Sequence, residues 1–148
     1  MCDEFDKCKN DINYFISNYI PTERVDCRCH IASVLWKVIF SDDMLVGWID
    51  STNENVSRVM SIFLRYHDSL PKCMQIEILN IKQNEVTFSN GSSFNVEVQD
   101  FDVFLGYSIS TIVVNNVGDY DEGVYDSIRE SIFPVINSYD IGDIIVIR

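Results

Sequence analysis

The run Ser110-Thr111-Ile112-Val113-Val114 constrains the fold of this chain more than any other stretch, because it is short, β-branched from Thr111 to Val114 and apolar from Ile112 on. It is too short for a buried helix and too apolar for a strand with one wet face. It is therefore expected to be an inner strand of a mostly parallel sheet with helices on both faces. In open sheets of this kind, ligands bind beyond the carboxyl ends of the strands. Asn115 and Asn116 stand at that end. An amide has nearly the shape of a carboxylate but no charge, so it neither offsets a divalent cation nor draws a proton from water. The tip is expected to shape a crevice without charging it.

The remaining segments read as elements that would cover such a strand. Phe5, Cys8, Ile12, Phe15, Ile16 and Tyr19 recur at helical steps, which predicts one amphipathic helix from about Glu4 to Asn18, capped by Asp3 and stopped by Pro21. Ile31, Val34, Leu35, Val38 and Ile39 predict a buried helix ending near Phe40, and Met44 to Ile49 a buried strand. The stretch Asp50-Ser51-Thr52-Asn53 offers N-caps for a helix whose face carries Val56, Val59, Met60, Phe63, Leu64 and His67 and which ends before Pro71. His67 is expected to be partly exposed and not catalytic. From Met74 the apolar period becomes two, giving three short strands around Ile76 to Ile81, Val86 to Phe88 and Phe94 to Val98. Turns are expected at Gln83-Asn84 and at Asn90-Gly91, the latter of type I′ with both residues at positive φ. A connector with Phe101, Phe104 and Gly106 leads back to the inner strand. A helix from Asp121 to Phe133 and a buried strand from Ile144 to Ile147 follow. This order predicts a single α/β layer sandwich with an antiparallel insertion.

Composition narrows the function. A net charge of −12 with only eleven basic residues argues against direct nucleic-acid binding, which needs clustered Lys and Arg. The longest apolar runs are too short to cross a bilayer, and the opening Met-Cys-Asp-Glu has the wrong sign for a leader, so no membrane partner is expected and a cytoplasmic location is. Five cysteines, an odd number, suggest reduced thiols. Cys27-Arg28-Cys29-His30 is the densest group of metal-binding residue types. It could hold zinc with Cys73 or His67, but a lone C-x-C-H is a weak match and no metal is expected.

Taken together, several pieces resemble the ATPase domain of tailed-phage terminase large subunits. Cys8-x-x-Asp11-x-x-x-Phe15 is similar to the family's N-terminal helix and Ile31 to Phe40 to the helix after its phosphate loop. Leu70-Pro71 resembles its helix finish, Val86 to Ser93 with Ser89-Asn90-Gly91-Ser92 its hairpin, and the Val113 to Asn116 strand end and Ile132-Phe133-Pro134 its later landmarks. The resemblance implies a P-loop-NTPase-like three-layer sandwich, with a mostly parallel central sheet and an antiparallel hairpin insertion.

Departures from the family fall on its chemistry. A phosphate loop needs glycines, a Lys and a Ser or Thr. This chain has Val25-Asp26-Cys27-Arg28-Cys29-His30 there, so Arg28 and His30 are only remnant positions. The strand-end Asp-Glu of the family, which holds magnesium and orients water, is Asn115-Asn116, and its basic residue before Gly106 is Leu105. Arg148 falls where the coupling motif would begin, so that motif and the nuclease domain are expected to be lacking. The resemblance therefore implies a truncated domain with no catalytic residues and no cofactor, acting in the cytoplasm of an infected host cell. It would work by contact with a phage packaging protein, another viral or host protein, or a second copy of itself. A different expectation rests on charge: acidic residues gathered in the C-terminal half, among them Glu97, Asp119, Asp121, Glu122, Asp126 and Glu130, could act as a decoy for a nucleic-acid-binding enzyme.

Overall fold

The structure is a computed structural model that describes residues 3–24, 27–99, 109–131, 134 and 143–147. Calls on Val25, Asp26, Phe101, Phe104, Leu105, Gly106, Ile132, Phe133 and Arg148 lie outside these residues.

The first expected helix is two. α1 spans Asp3–Asn10 and α2 spans Ile12–Tyr19. The break is at Asp11, whose extended backbone (φ −145°) lets its carboxylate cap α2 by accepting from the Tyr14 N–H. An Asp inside a helical pattern competes for nearby backbone donors, and here it outweighs the continuing apolar stripe. α3 (Arg28–Phe40) starts earlier than its apolar period and leads to β1 (Leu45–Asp50). α4 (Asn53–Asp68) is capped by Thr52, whose Oγ1 accepts from the Asn55 N–H at 3.1 Å. His67, contrary to expectation, is only 5% exposed and its Nε2 lies 3.0 Å from the Ile76 carbonyl oxygen.

A 3₁₀ turn at Lys72–Met74 leads to β2 (Ile78–Lys82), β3 (Glu85–Phe88) and β4 (Ser93–Val98). The Gln83-Asn84 hairpin forms as expected, but the Asn90-Gly91 turn is not type I′, since Gly91 alone of the two has positive φ. The Asn90 amide donates to the carbonyls of Val38 and Ser41 and its Oδ1 accepts from Ser92 N–H, so the turn is moulded against the end of α3. A Cβ on Gly91 would stand 2.0 Å from Asp43 Oδ1. The inner strand is β5 (Thr111–Val114), followed by a 3₁₀ turn (Val117–Asp119), α5 (Val124–Ser131) and β6 (Asp143–Val146).

The six strands form one sheet in the order β2-β3-β4-β1-β5-β6. Pairing is parallel across β4-β1-β5-β6 and antiparallel in the β2-β3-β4 meander. Strand alternation divides the apolar residues between the two faces. Val46, Trp48, Phe94, Val96 and Val113 face the larger core, with Val34, Leu35 and Val38 of α3 and Val59 and Phe63 of α4. Ile49, Ile112 and Val114 face the smaller one, closed by Ile128 of α5. The chain is thus a three-layer α/β sandwich, as expected.

Candidate functional site

The crevice expected beyond β5 exists, and a residue from the neighbouring strand organises it. Parallel pairing sets Ile49 beside Val114. Asp50, the end of β1, is therefore level with Asn115. Asp50 is fully buried, in a position that a carboxylate occupies only when its oxygens are satisfied. Trp48 Nε1–H donates to Oδ2 at 3.0 Å and the Ser51 N–H to Oδ1 at 2.8 Å. The side-chain amide of Asn115 donates to Oδ2 and that of Asn116 to Oδ1, each at 2.9 Å.

Four N–H donors thus converge on one carboxylate. Asn116 reaches it because its backbone is left-handed (φ 55°), a conformation that Asn tolerates better than most residues. The same turn is held by Tyr120, whose hydroxyl donates to the Ile49 carbonyl at 2.9 Å. Burial, and then the Asp50 charge, push the Tyr120 phenol far above its ordinary range, so it stays a neutral donor. Gln99 ties the third strand in. From a positive φ of 41° it donates its N–H to the Asp50 carbonyl and its amide to the Ser51 carbonyl, both at 2.8 Å, and accepts from the Asp121 N–H.

Above this network lies a cleft of about 330 Å³, lined by Cys27, Asp50, Asn55, Arg58, Asn115 and Asn116 among others. The start of α3 forms one wall and the first turns of α4 another. Arg58 is exposed and is the one cation lining the cleft among the described residues.

The expected remnant loop positions part company here. Cys27 reaches the cleft, whereas Arg28 turns away from it: its Nε and guanidinium donate to the carbonyls of Pro21 at 2.6 Å and Ile20 at 2.9 Å, closing the connection from α2 to α3. His30 is half-buried on the first turn of α3 and is not among the residues lining the cleft. Cys29 is an exposed free thiol, Cys8 is a buried one, and Cys73 is disulfide-bonded, so it is unavailable as a zinc ligand and is not the reduced thiol expected. No group of three or more potential ligands is placed for a metal among the described residues.

Sequence reading missed Asp50, which it took for an N-cap candidate, together with Gln99, Tyr120 and Arg58. The available signal was the charge itself, since an Asp closing Leu45-Val46-Gly47-Trp48-Ile49 ends a buried strand at a crevice.

A four-strand parallel core, an antiparallel meander on one side and a crevice at the carboxyl ends of β1 and β5 define the class. The chain has the P-loop-NTPase-like fold of phage large-terminase ATPase domains. It is similar to the large terminase of bacteriophage HK97, with a TM-score of 0.65 and 11% identity over 86% of this chain and 27% of that one. It is also similar to the large-terminase ATPase domain of Thermus phage P74-26, with a TM-score of 0.59 and 13% identity over 98% of this chain and 68% of that one. The chain thus spans about a quarter of the HK97 protein's length. No protein-family model matches the sequence, and no curated protein sequence matches it.

Proposed function

We propose that this chain is a pseudo-ATPase, a terminase-like phage domain that acts through protein contacts and regulates or inhibits DNA packaging without turning over ATP. The observation that carries this reading is the use of both strand-tip amides as donors to Asp50. A tip built to hold magnesium presents acceptor oxygens to the ion. Here the nitrogens of Asn115 and Asn116 are spent on a buried carboxylate and supply no charge. The engagement of Arg28 with two backbone carbonyls points the same way, since a cation so held is not poised over a phosphate. Phosphoryl transfer is almost wholly electrostatic positioning, so losing the loop Lys and the metal-holding carboxylate together removes the means of catalysis.

Calorimetric titration of the full chain with ATP and magnesium is expected to give no heat of binding in the micromolar range. A saturable micromolar isotherm would overturn the reading. Affinity capture from infected cells then identifies the partner.

The decoy reading keeps one specific support: Asp119, Asp121, Glu122, Asp126 and Glu130 are all exposed on or just before α5. Binding of that kind collapses as salt rises, whereas an apolar docking contact does not.

A further inference from the structure

The amides that satisfy Asp50 also decide what the cleft presents outward. A side-chain amide has a donor end and an acceptor end. Asn115 and Asn116 each turn the nitrogen to Asp50, so the carbonyl oxygen of each is the end left over. Asn55 on α4 is set likewise, with its Nδ2 donating to Ser51 Oγ at 3.0 Å. None of these three Oδ1 atoms accepts a hydrogen bond among the described residues, and none is sealed from solvent. All three residues line the cleft. Hydrogen-bonded groups polarise one another, so the two strand-tip amides carry the field of the Asp50 carboxylate out to their oxygens. No cation among the described residues lies within ion-pairing distance of Asp50. The floor of the cleft is therefore negative, although the atoms it exposes are neutral acceptors.

We infer that the cleft is a socket for one basic side chain, lysine or arginine, of a partner protein, an inference that rests on the reading of this chain as a contact module. A cationic tip finds acceptor oxygens and the Asp50 carboxylate behind them, while Val59 and Ile147, which also line the cleft, suit the methylene stem. An anion meets the same field with the opposite sign, and a neutral donor gains hydrogen bonds without the attraction of charge. The net charge of −12 draws a basic partner toward the whole surface. Arg58 is the opposing element. It is exposed, lines the cleft and has no hydrogen bond or ion pair among the described residues, so as a like charge it holds the affinity for a cation down. Its removal therefore changes the affinity for a cation and for an anion in opposite directions.

An NMR titration of the isotope-labelled full chain with arginine capped at both its amino and carboxyl ends, at constant ionic strength and without nucleotide, tests the inference. Saturable shifts centred on the side-chain amide signals of Asn115 and Asn116 are expected, with a dissociation constant on the order of millimolar for a single side chain. Capped citrulline, the neutral near-isostere, is expected to give none. Arg58→Ala, at an exposed helix position, is expected to tighten capped arginine by about two- to threefold, because it removes a like charge. Asn116→Gly, which keeps the left-handed backbone, is expected to weaken it by about fivefold or more. The inference is overturned by the absence of saturable shifts with capped arginine up to about 50 mM, by equal binding of capped citrulline, or by binding of uncapped arginine alone. Weaker binding of capped arginine by Arg58→Ala, or sulfate that binds at the same signals and is lost in that variant, overturns it too. These outcomes stand apart from the ATP titration, since a chain that ignores both ATP and capped arginine keeps the pseudo-ATPase reading and loses only the socket.

Discussion

A buried carboxylate beside two amides at the tips of adjacent strands sets the electrostatics of the crevice. The Asp50 carboxylate is satisfied in the interior because Trp48, Ser51, Asn115 and Asn116 donate to it. Each amide is therefore bound to a duty that a carboxylate in its place could not perform. Asn115→Asp replaces a donor 2.9 Å from Asp50 with a second acceptor of like charge. It is expected to destabilise the fold by about 2–3 kcal/mol at neutral pH, from the lost hydrogen bond and the repulsion. The introduced carboxyl has its folded pKa raised above its unfolded one. Its penalty therefore grows as pH rises above about 4 and shrinks below it. Urea unfolding of both proteins at pH 4 and pH 7 measures the difference, and a deficit independent of pH would show that the two groups do not interact. Only pairing of β1 with β5 brings Asp50 to these amides from 65 residues away in the chain.

The N-terminal helices show how one polar side chain can override an apolar period. Phe5 and Phe15 pack edge-on against Phe40, and Trp36 donates from Nε1 to the Cys8 carbonyl, so the stripe that reads as one helix does face α3. The direction changes at Asp11, and the resulting α1–α2 corner is fastened by Glu4, whose Oε2 accepts from the hydroxyls of Tyr14 and Tyr19, each at 2.6 Å. These two bonds, first that from Tyr14 and then that from Tyr19, hold the Glu4 carboxyl below its usual range, and the same contact holds both phenols above theirs. A lowered carboxyl pKa gives stability that is present above the unfolded value and lost as pH falls through the folded one. The raised phenols give stability that is present below their unfolded value and lost as pH climbs through their folded ones. Glu4→Gln is accordingly expected to lower the melting temperature at pH 7 and to draw closer to the parent chain as pH falls below the unfolded carboxyl value, as followed by circular dichroism. An undiminished gap in acid would mean that the carboxylate is not the fastener. The hairpins teach a similar lesson: Gln83-Asn84 forms the expected turn, whereas Asn90 is recruited by carbonyls at the end of α3.

Across the whole molecule, 23 acidic residues face eleven basic ones. Several of the bases are already engaged, Arg65 with Glu23, Arg129 with Asp126 and Arg28 with backbone carbonyls. Self-repulsion of a compact body of charge −12 opposes folding and is screened by added salt. The melting temperature of the dilute chain is therefore expected to rise as sodium chloride goes from about 10 to 200 mM, and a scanning calorimeter will detect a fall if local ion pairs matter more. No helix among the described residues is long and apolar enough to cross a membrane. The amino-acid sequence by itself determined the three layers, the inner strand at Thr111–Val114, the meander and the neutral tip at Asn115 and Asn116, because apolar period and amide chemistry are local properties. Tertiary structure alone decided that Asp50 anchors the crevice, that Arg28 leaves it and that Asn90 abandons its preferred turn. Each of these depends on which strand ends and carbonyls are brought within hydrogen-bonding distance, and that proximity exists only after the sheet has assembled.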